Sequence, residues 1–210
     1  MLVDLHFPAE ALGDGVGEPR QEALLRAARD LGLDGICLAG QAAPSRAQWE
    51  RLQDQAAPLR IFVGVELRTD LGPLLWLPPQ VGEAEVGLRL LPAEGQRVAA
   101  ERVIDAASSV GAAVVVLQPL RGDRQRELSL ARLRALGVHA LEVHNAGRPD
   151  QENRAAWRVA RRHSLAGVGG SGGLSSVGLV ATLLGRRLAC QADLVRALRR
   201  GEAWAVTLRS

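Results

Sequence analysis

Seven short apolar runs rich in Val, Ile and Leu punctuate the chain: LVDLHF (2–7), GICLA (35–39), IFVGVEL (61–67), AVVVLQP (113–119), ALEVHN (140–145), AGVGG (166–170) and AWAVTL (203–208). Runs of this length and composition predict β-strands. Between them lie segments whose apolar residues recur at helical spacing: EPRQEALLRAARDLG (18–32), SRAQWERLQDQA (45–56), QRVAAERVIDAASSVG (96–111), RELSLARLRALG (126–137), PDQENRAAWRVARRHS (149–164) and QADLVRALRRG (191–201). Pro19 and Pro149 sit at first-turn positions, and Gly32, Gly111, Gly137 and Gly201 stand just past helix ends. Strand and helix therefore alternate. That alternation predicts parallel strands covered by helices, either an α/β barrel or an open doubly wound sheet. The patches LPPQVGEAE and LQPLRGDR are too short to be linkers and no repeat is visible, so one domain over residues 1–210 is expected.

Composition narrows the class. With 210 residues, 47% of them apolar and 23% charged, the chain can bury a sizeable core. Cys37 and Cys190 lie in apolar surroundings without CxxC or Cys/His spacing, which suits reduced thiols in a cytoplasmic protein. The N-terminus lacks the basic and apolar regions of a signal peptide, and no apolar run reaches the ~18 residues of a membrane span. Net charge is +3, and all 26 basic residues are arginine. The densest groups, RVARR and RALRR, fall on amphipathic helical patterns that also carry Val159, Leu194 and Leu198, so they read as solvated helix faces. Four Trp and two Phe, none interleaved with basic residues, give little for bases to stack on; a nucleic-acid partner is not expected.

In either architecture chemistry gathers at the carboxyl ends of the strands. There the chain offers His6, Asp14, Gln41, Glu66, Gln118-Pro119, His144-Asn145 and the stretch GVGGSGGLSS (167–176). The last spells two motifs. As a dinucleotide fingerprint, Gly167-x-Gly169-x-x-Gly172 should open the first strand-helix unit, yet it falls in the last quarter. As a nucleophile elbow, Ser171 needs a histidine downstream, and none follows His163. A tight turn between strand and helix remains.

The order of these segments resembles the PHP (polymerase and histidinol phosphatase) family, particularly its small stand-alone phosphoesterases. VDLHFPAEALGDGVGEP is similar to the family's D-L-H-x-H strand end and S-D-G turn, and GVEL (64–67) to its G-x-E strand end. VGAAVVVLQPLR is similar to the A-H-P segment, LEVHN to I-E-V-x-N, and GVGGSGGLSSVG to the G-S-D-x-H loop. The resemblance implies a distorted β/α barrel of about seven parallel strands with surrounding helices, and a His/Asp/Glu site for up to three divalent ions that hydrolyses phosphate esters.

Departures from that pattern fall on the ligands. His6, Asp14 and Glu66 match ligand positions, whereas Pro8, Gln41, Pro73, Gln118, Gly172 and Leu174 stand where the family has further histidines or an aspartate. A catalytic centre needs three or more anionic or imidazole donors, and proline, leucine and glycine supply none. The resemblance thus implies a degenerate member working as a binding, regulatory or assembly protein, with a protein partner or self-association. No cofactor is expected beyond one weakly held Zn or Mn ion on His6, Asp14 and Glu66. By strand alternation His144 shares a face with Glu142, which would turn it into the mouth as a speculative ligand; a satisfied structural histidine is the preferred reading. Without metal, His6, Asp14 and Glu66 need polar partners, for which Arg68, Arg121, Gln41 and Gln118 are the candidates. Two alternatives stand beside this one: a phosphoesterase with a reduced one- or two-ion site, catalysed by His6, Asp14 and Glu66, and a sensor binding a small phosphorylated ligand through Arg121 and the loop amides at Gly170 and Ser171.

Overall fold

The computed structural model describes residues 1–12, 17–41, 43–90, 97–119, 132–173 and 176–208. Nine strands among them close into a barrel: β1 (Leu2–Pro8), β2 (Gly35–Gly40), β3 (Arg60–Thr69), β4 (Gly72–Leu77), β5 (Ala113–Val116), β6 (Ala140–Asn145), β7 (Ala166–Gly170), β8 (Val180–Leu184) and β9 (Ala203–Thr207), in the spatial order β1-β2-β3-β4-β5-β6-β7-β9-β8. The seven predicted strands run in one direction. Two more, β4 and β8, run against their neighbours on both sides. Periodicity hid β4 because it follows β3 almost at once, and β8 is a run of only five residues. In β3–β4 only Asp70 and Leu71 separate the strands, and Gly72 at φ +114° supplies a backbone conformation that residues with a Cβ rarely adopt.

Six helices complete the described fold: α1 (Glu18–Asp30), α2 (Arg46–Ala56), α3 (Ala84–Leu88), α4 (Ala100–Val110), α5 (Asp150–Arg162) and α6 (Gln191–Arg199), with a further helical turn at 132–136. Strands β2 and β5 are buried on both faces, which is why they read as continuous apolar runs rather than alternating ones. Inside the barrel, Val3, Leu5, Cys37, Phe62, Leu75, Val115 and Val168 form one cluster, and Leu194 and Leu198 of α6 close it from the foot, the end where the parallel strands begin. Outside, α1 and α2 pack on Ile36, Leu38 and Ile61, while α4 and α5 pack on Val114, Val116 and Val143. Burying these two layers supplies roughly 25 cal/mol per Å² of apolar surface removed from water. With the foot plugged, the mouth at the carboxyl strand ends is where polar groups collect.

Candidate functional site

The mouth is shaped by two β-bulges. Along β1 and β2 the register passes from Asp4↔Ile36 to Phe7↔Leu38, so Leu5 and His6 together oppose Cys37. Bulges re-aim side chains, and this one turns His6 inward, where its residue is 7% exposed. The second bulge lies in β6, where register passes from Glu142↔Val168 to His144↔Gly169 and leaves Val143 unpaired. It reverses the alternation beyond Glu142: Asn145, not His144, shares the buried side with Glu142.

These two devices bring remote residues into one network. Glu142 is 3% exposed. One oxygen, Oε1, accepts from His6 Nδ1 at 2.7 Å and from Asn145 Nδ2 at 3.0 Å, and Oε2 accepts from the backbone N–H of Gln118 at 2.9 Å. Gln118 holds φ at +43° to present that N–H, and its side-chain oxygen accepts from Arg148 Nη2 at 2.8 Å. On the outer side of the ring, His6 Nε2 faces Glu66 Oε2 at 3.8 Å. Burial alone would pull the His6 imidazolium down, but Glu142 and then Glu66 outweigh it and raise its pKa to about 10. The facing His6 in turn holds Glu66 below the usual carboxylate range, with Arg68 contributing. His6 is thus a cation clamped between two carboxylates.

The glycine stretch packs against this ring. A Cβ on Gly170 would lie 2.6 Å from the backbone nitrogen and Cβ of His6, and a Cβ on Gly172 would fall against the Asn145 amide. Only glycine lets β7 and its following turn approach β1 and β6 so closely. The Ser171 N–H bonds Asp4 Oδ1 at 2.9 Å, its hydroxyl bonds the His6 carbonyl at 3.3 Å, and the Gly172 N–H bonds that carbonyl at 3.0 Å. Asp4 is fully buried; burial lifts its carboxyl above the usual range against the bonds from Ser171 and His6, and its Oδ2 has no partner among the described residues.

His6 and Glu66 therefore do meet, and Gln118 joins them. Gln41 lies exposed just past β2 at the same end of the barrel. Asp14, Arg121 and Leu174 lie outside the described residues. Two of the expected placements differ in the structure. His144 does not enter the mouth: the β6 bulge turns it to an outer cleft with Arg154, Trp157 and Leu179, where its Nδ1 lies 3.5 Å from Thr207 Oγ1. Gly170 and Ser171 do not offer a phosphate cradle, because Ser171 is fully buried and the N–H groups of Ser171 and Gly172 are already bonded to β1. Arg148, which reaches Gln118, and Asp4 are residues that the sequence reading passed over. The signal for Arg148 was its position in Asn-Ala-Gly-Arg-Pro, directly between a strand end and a helix start.

The whole barrel superposes on known structures. A proposed metal-dependent phosphoesterase from Bifidobacterium adolescentis aligns over 95% of this chain and 96% of its own, with TM-score 0.61 and 19% identity. A two-domain protein from Bacteroides vulgatus containing a predicted PHP-like metal-dependent phosphoesterase aligns over 99% of this chain and 64% of its own, with TM-score 0.69 and 15% identity. A lesion-specific endonuclease from Pyrococcus furiosus aligns over 97% and 57%, with TM-score 0.65 and 13% identity. At such identities these likenesses establish the fold. A search of curated protein sequences found no match. Residues 150–203, spanning α5 to the start of β9, match the family model described as PHP-associated.

Among the described residues the donors do not fit a multi-ion centre. Among the described residues no group of three or more His, Cys, Asp or Glu side chains is placed to hold a metal ion. His6 spends Nδ1 on Glu142, Gln118 is committed to Arg148 and Glu142, and the Asn145 amide fills the space where an aspartate at position 172 would reach. Of the three expected ligands, His6 and Glu66 are the two among the described residues, where hydrolytic centres need at least three donors around each ion. Among the described residues no helix is long and apolar enough to cross a membrane.

Proposed function

We propose that this PHP-family barrel is a non-catalytic binding, regulatory or assembly protein, in which a proton on His6 takes the place of positive charge that ions supply elsewhere in the fold. The observation that carries this reading is the His6 imidazolium held between Glu142 at 2.7 Å and Glu66 at 3.8 Å. Hydrolysis of a phosphate ester needs an activated water and positive charge at the developing oxyanion. Here the buried cation is neutralised by two carboxylates, and the Arg148 guanidinium is spent on Gln118. What the mouth does well is fix the relative positions of β1, β3, β5 and β6, and so present a rigid outer surface to a protein partner or a second copy.

The test is hydrolysis of phosphomonoesters and nucleotide phosphodiesters with added manganese. Turnover at background is expected. Chelator-sensitive turnover that Glu66→Ala abolishes would overturn the reading in favour of a reduced one- or two-ion phosphoesterase.

A further inference from the structure

The foot of the barrel carries a second recess that owes nothing to the mouth. Pairing of β3 with β4 extends only over Val65–Thr69, so the first half of β3 has no strand beside it on that edge. Side chains take the strand's place. The Gln53 amide bonds the Leu59 carbonyl and the Ile61 N–H, the Trp49 indole N–H bonds the Ile61 carbonyl at 2.9 Å, and the Gln191 amide bonds both the N–H and the carbonyl of Val63. With its backbone satisfied, the missing strand leaves a slot rather than a sticky edge. It encloses about 340 Å³ between α2, residues 79–82 and the start of α6. That volume lies at the small end of the ~300–1,000 Å³ typical of small-molecule sites.

We propose that this slot binds a small amphiphilic organic anion: an apolar body carrying one acidic group. The walls facing it are Trp49, Ile61, Pro79 and Val81, which supply the apolar bed. Its glutamine side chains at 53 and 191 are committed to β3, so they offer a ligand little. The charged residues lining it are Arg46 and Arg60; no carboxylate does. Arg46 is paired with Glu50 at 3.0 Å on the rim, whereas the exposed Arg60 guanidinium has no partner among the described residues. An apolar recess with one uncommitted guanidinium at its edge selects for negative charge on a hydrophobic frame, since a charge-assisted bond to arginine then adds to apolar burial. A cation would meet only like charge, and a neutral hydrocarbon would leave the arginine unused.

Cys190 lines the same slot and is exposed, while the chain's other cysteine, Cys37, is buried, so thiol chemistry reports on occupancy. The experiment measures the rate at which N-ethylmaleimide modifies Cys190 in the full-length protein with naphthoate, naphthalene methanol or naphthylmethylamine present. Naphthoate should slow modification saturably, about tenfold at ten times its dissociation constant. The alcohol should act only at much higher concentration and the amine not at all. Arg60→Gln, at an exposed position, should bring naphthoate down to the level of the alcohol, while Arg200→Gln, on the helix end away from the slot, should change nothing. Equal protection by acid and alcohol in the wild-type chain, no protection by either, or naphthoate protection that survives Arg60→Gln would each overturn the proposal. These readouts are independent of phosphatase activity, so the outcome does not depend on the reading of the mouth.

Discussion

Glu142→Ala removes the group that organises the mouth. Its carboxylate is 3% exposed and accepts from His6, Asn145 and the Gln118 backbone. Alanine leaves an imidazole, an amide and a backbone N–H facing a cavity. Breaking a buried ion pair by deleting one partner costs roughly 3–5 kcal/mol. The orphaned donors of Asn145 and Gln118 are part of that figure rather than additions to it, because His6 can shed its proton once its counter-charge is gone. Glu142→Gln keeps the shape and an acceptor, and should cost about 1–3 kcal/mol. Glu66 is the internal control: its side chain is 29% exposed and stands 3.8 Å from His6, so Glu66→Ala should cost no more than about 1 kcal/mol. Urea denaturation at neutral pH, followed by far-ultraviolet circular dichroism, gives all three values from midpoints at a common slope. If Glu142→Ala falls within about 1 kcal/mol of Glu66→Ala, the ring does not hold the mouth together and the reasoning fails.

The pH dependence follows from His6, whose folded pKa is raised to about 10 against about 6.5 in the unfolded chain. Its stabilisation is complete below the unfolded value and is lost as pH rises through the folded one, so the urea midpoint of the wild-type chain should fall more steeply over that window than that of His6→Gln; parallel profiles would contradict this. Gly172→Asp, which restores a family ligand, puts a Cβ against the Asn145 amide at a backbone φ of +63° and should destabilise by about 1–3 kcal/mol, partly recovered by adding Asn145→Gly. A neutral single variant in the same denaturation assay would show that the turn is not as tightly packed as described. Trp76 is fully buried and its indole N–H has no partner among the described residues, so Trp76→Phe should change stability by less than about 1 kcal/mol. Trp76→Ala should cost about 3–5 kcal/mol, and equal losses would mean that the N–H is satisfied.

The parallel framework was legible because its strands are buried on both faces and its helices carry clear apolar stripes; AVVV in β5 and the stripe of α5 leave little choice. Strand β4 was not, since a strand that follows a turn of two residues merges with its neighbour in any windowed pattern, and neither was β8, a run of only five residues. At the mouth, sequence identified His6, Glu66, Gln41 and Gln118 as residues of one end of the barrel but misplaced His144. A rule of strict alternation assigns side chains to faces, and one extra residue, Val143, inverts every assignment after it. No local feature of EVHN marks that bulge. The glycines themselves were read as a turn without ligands, and the structure adds the reason they are glycines: His6 and Asn145 occupy the space beside them.

Whether a proton on His6 or a set of ions holds the mouth of this barrel together is tested most directly by elemental analysis of protein purified without chelator. Less than one tightly bound Zn, Mn or Fe per chain is the expected result. Two or more per chain would contradict it, because His6 and Glu66 would then be metal ligands and the clamp between Glu142 and Glu66 would not be the native arrangement.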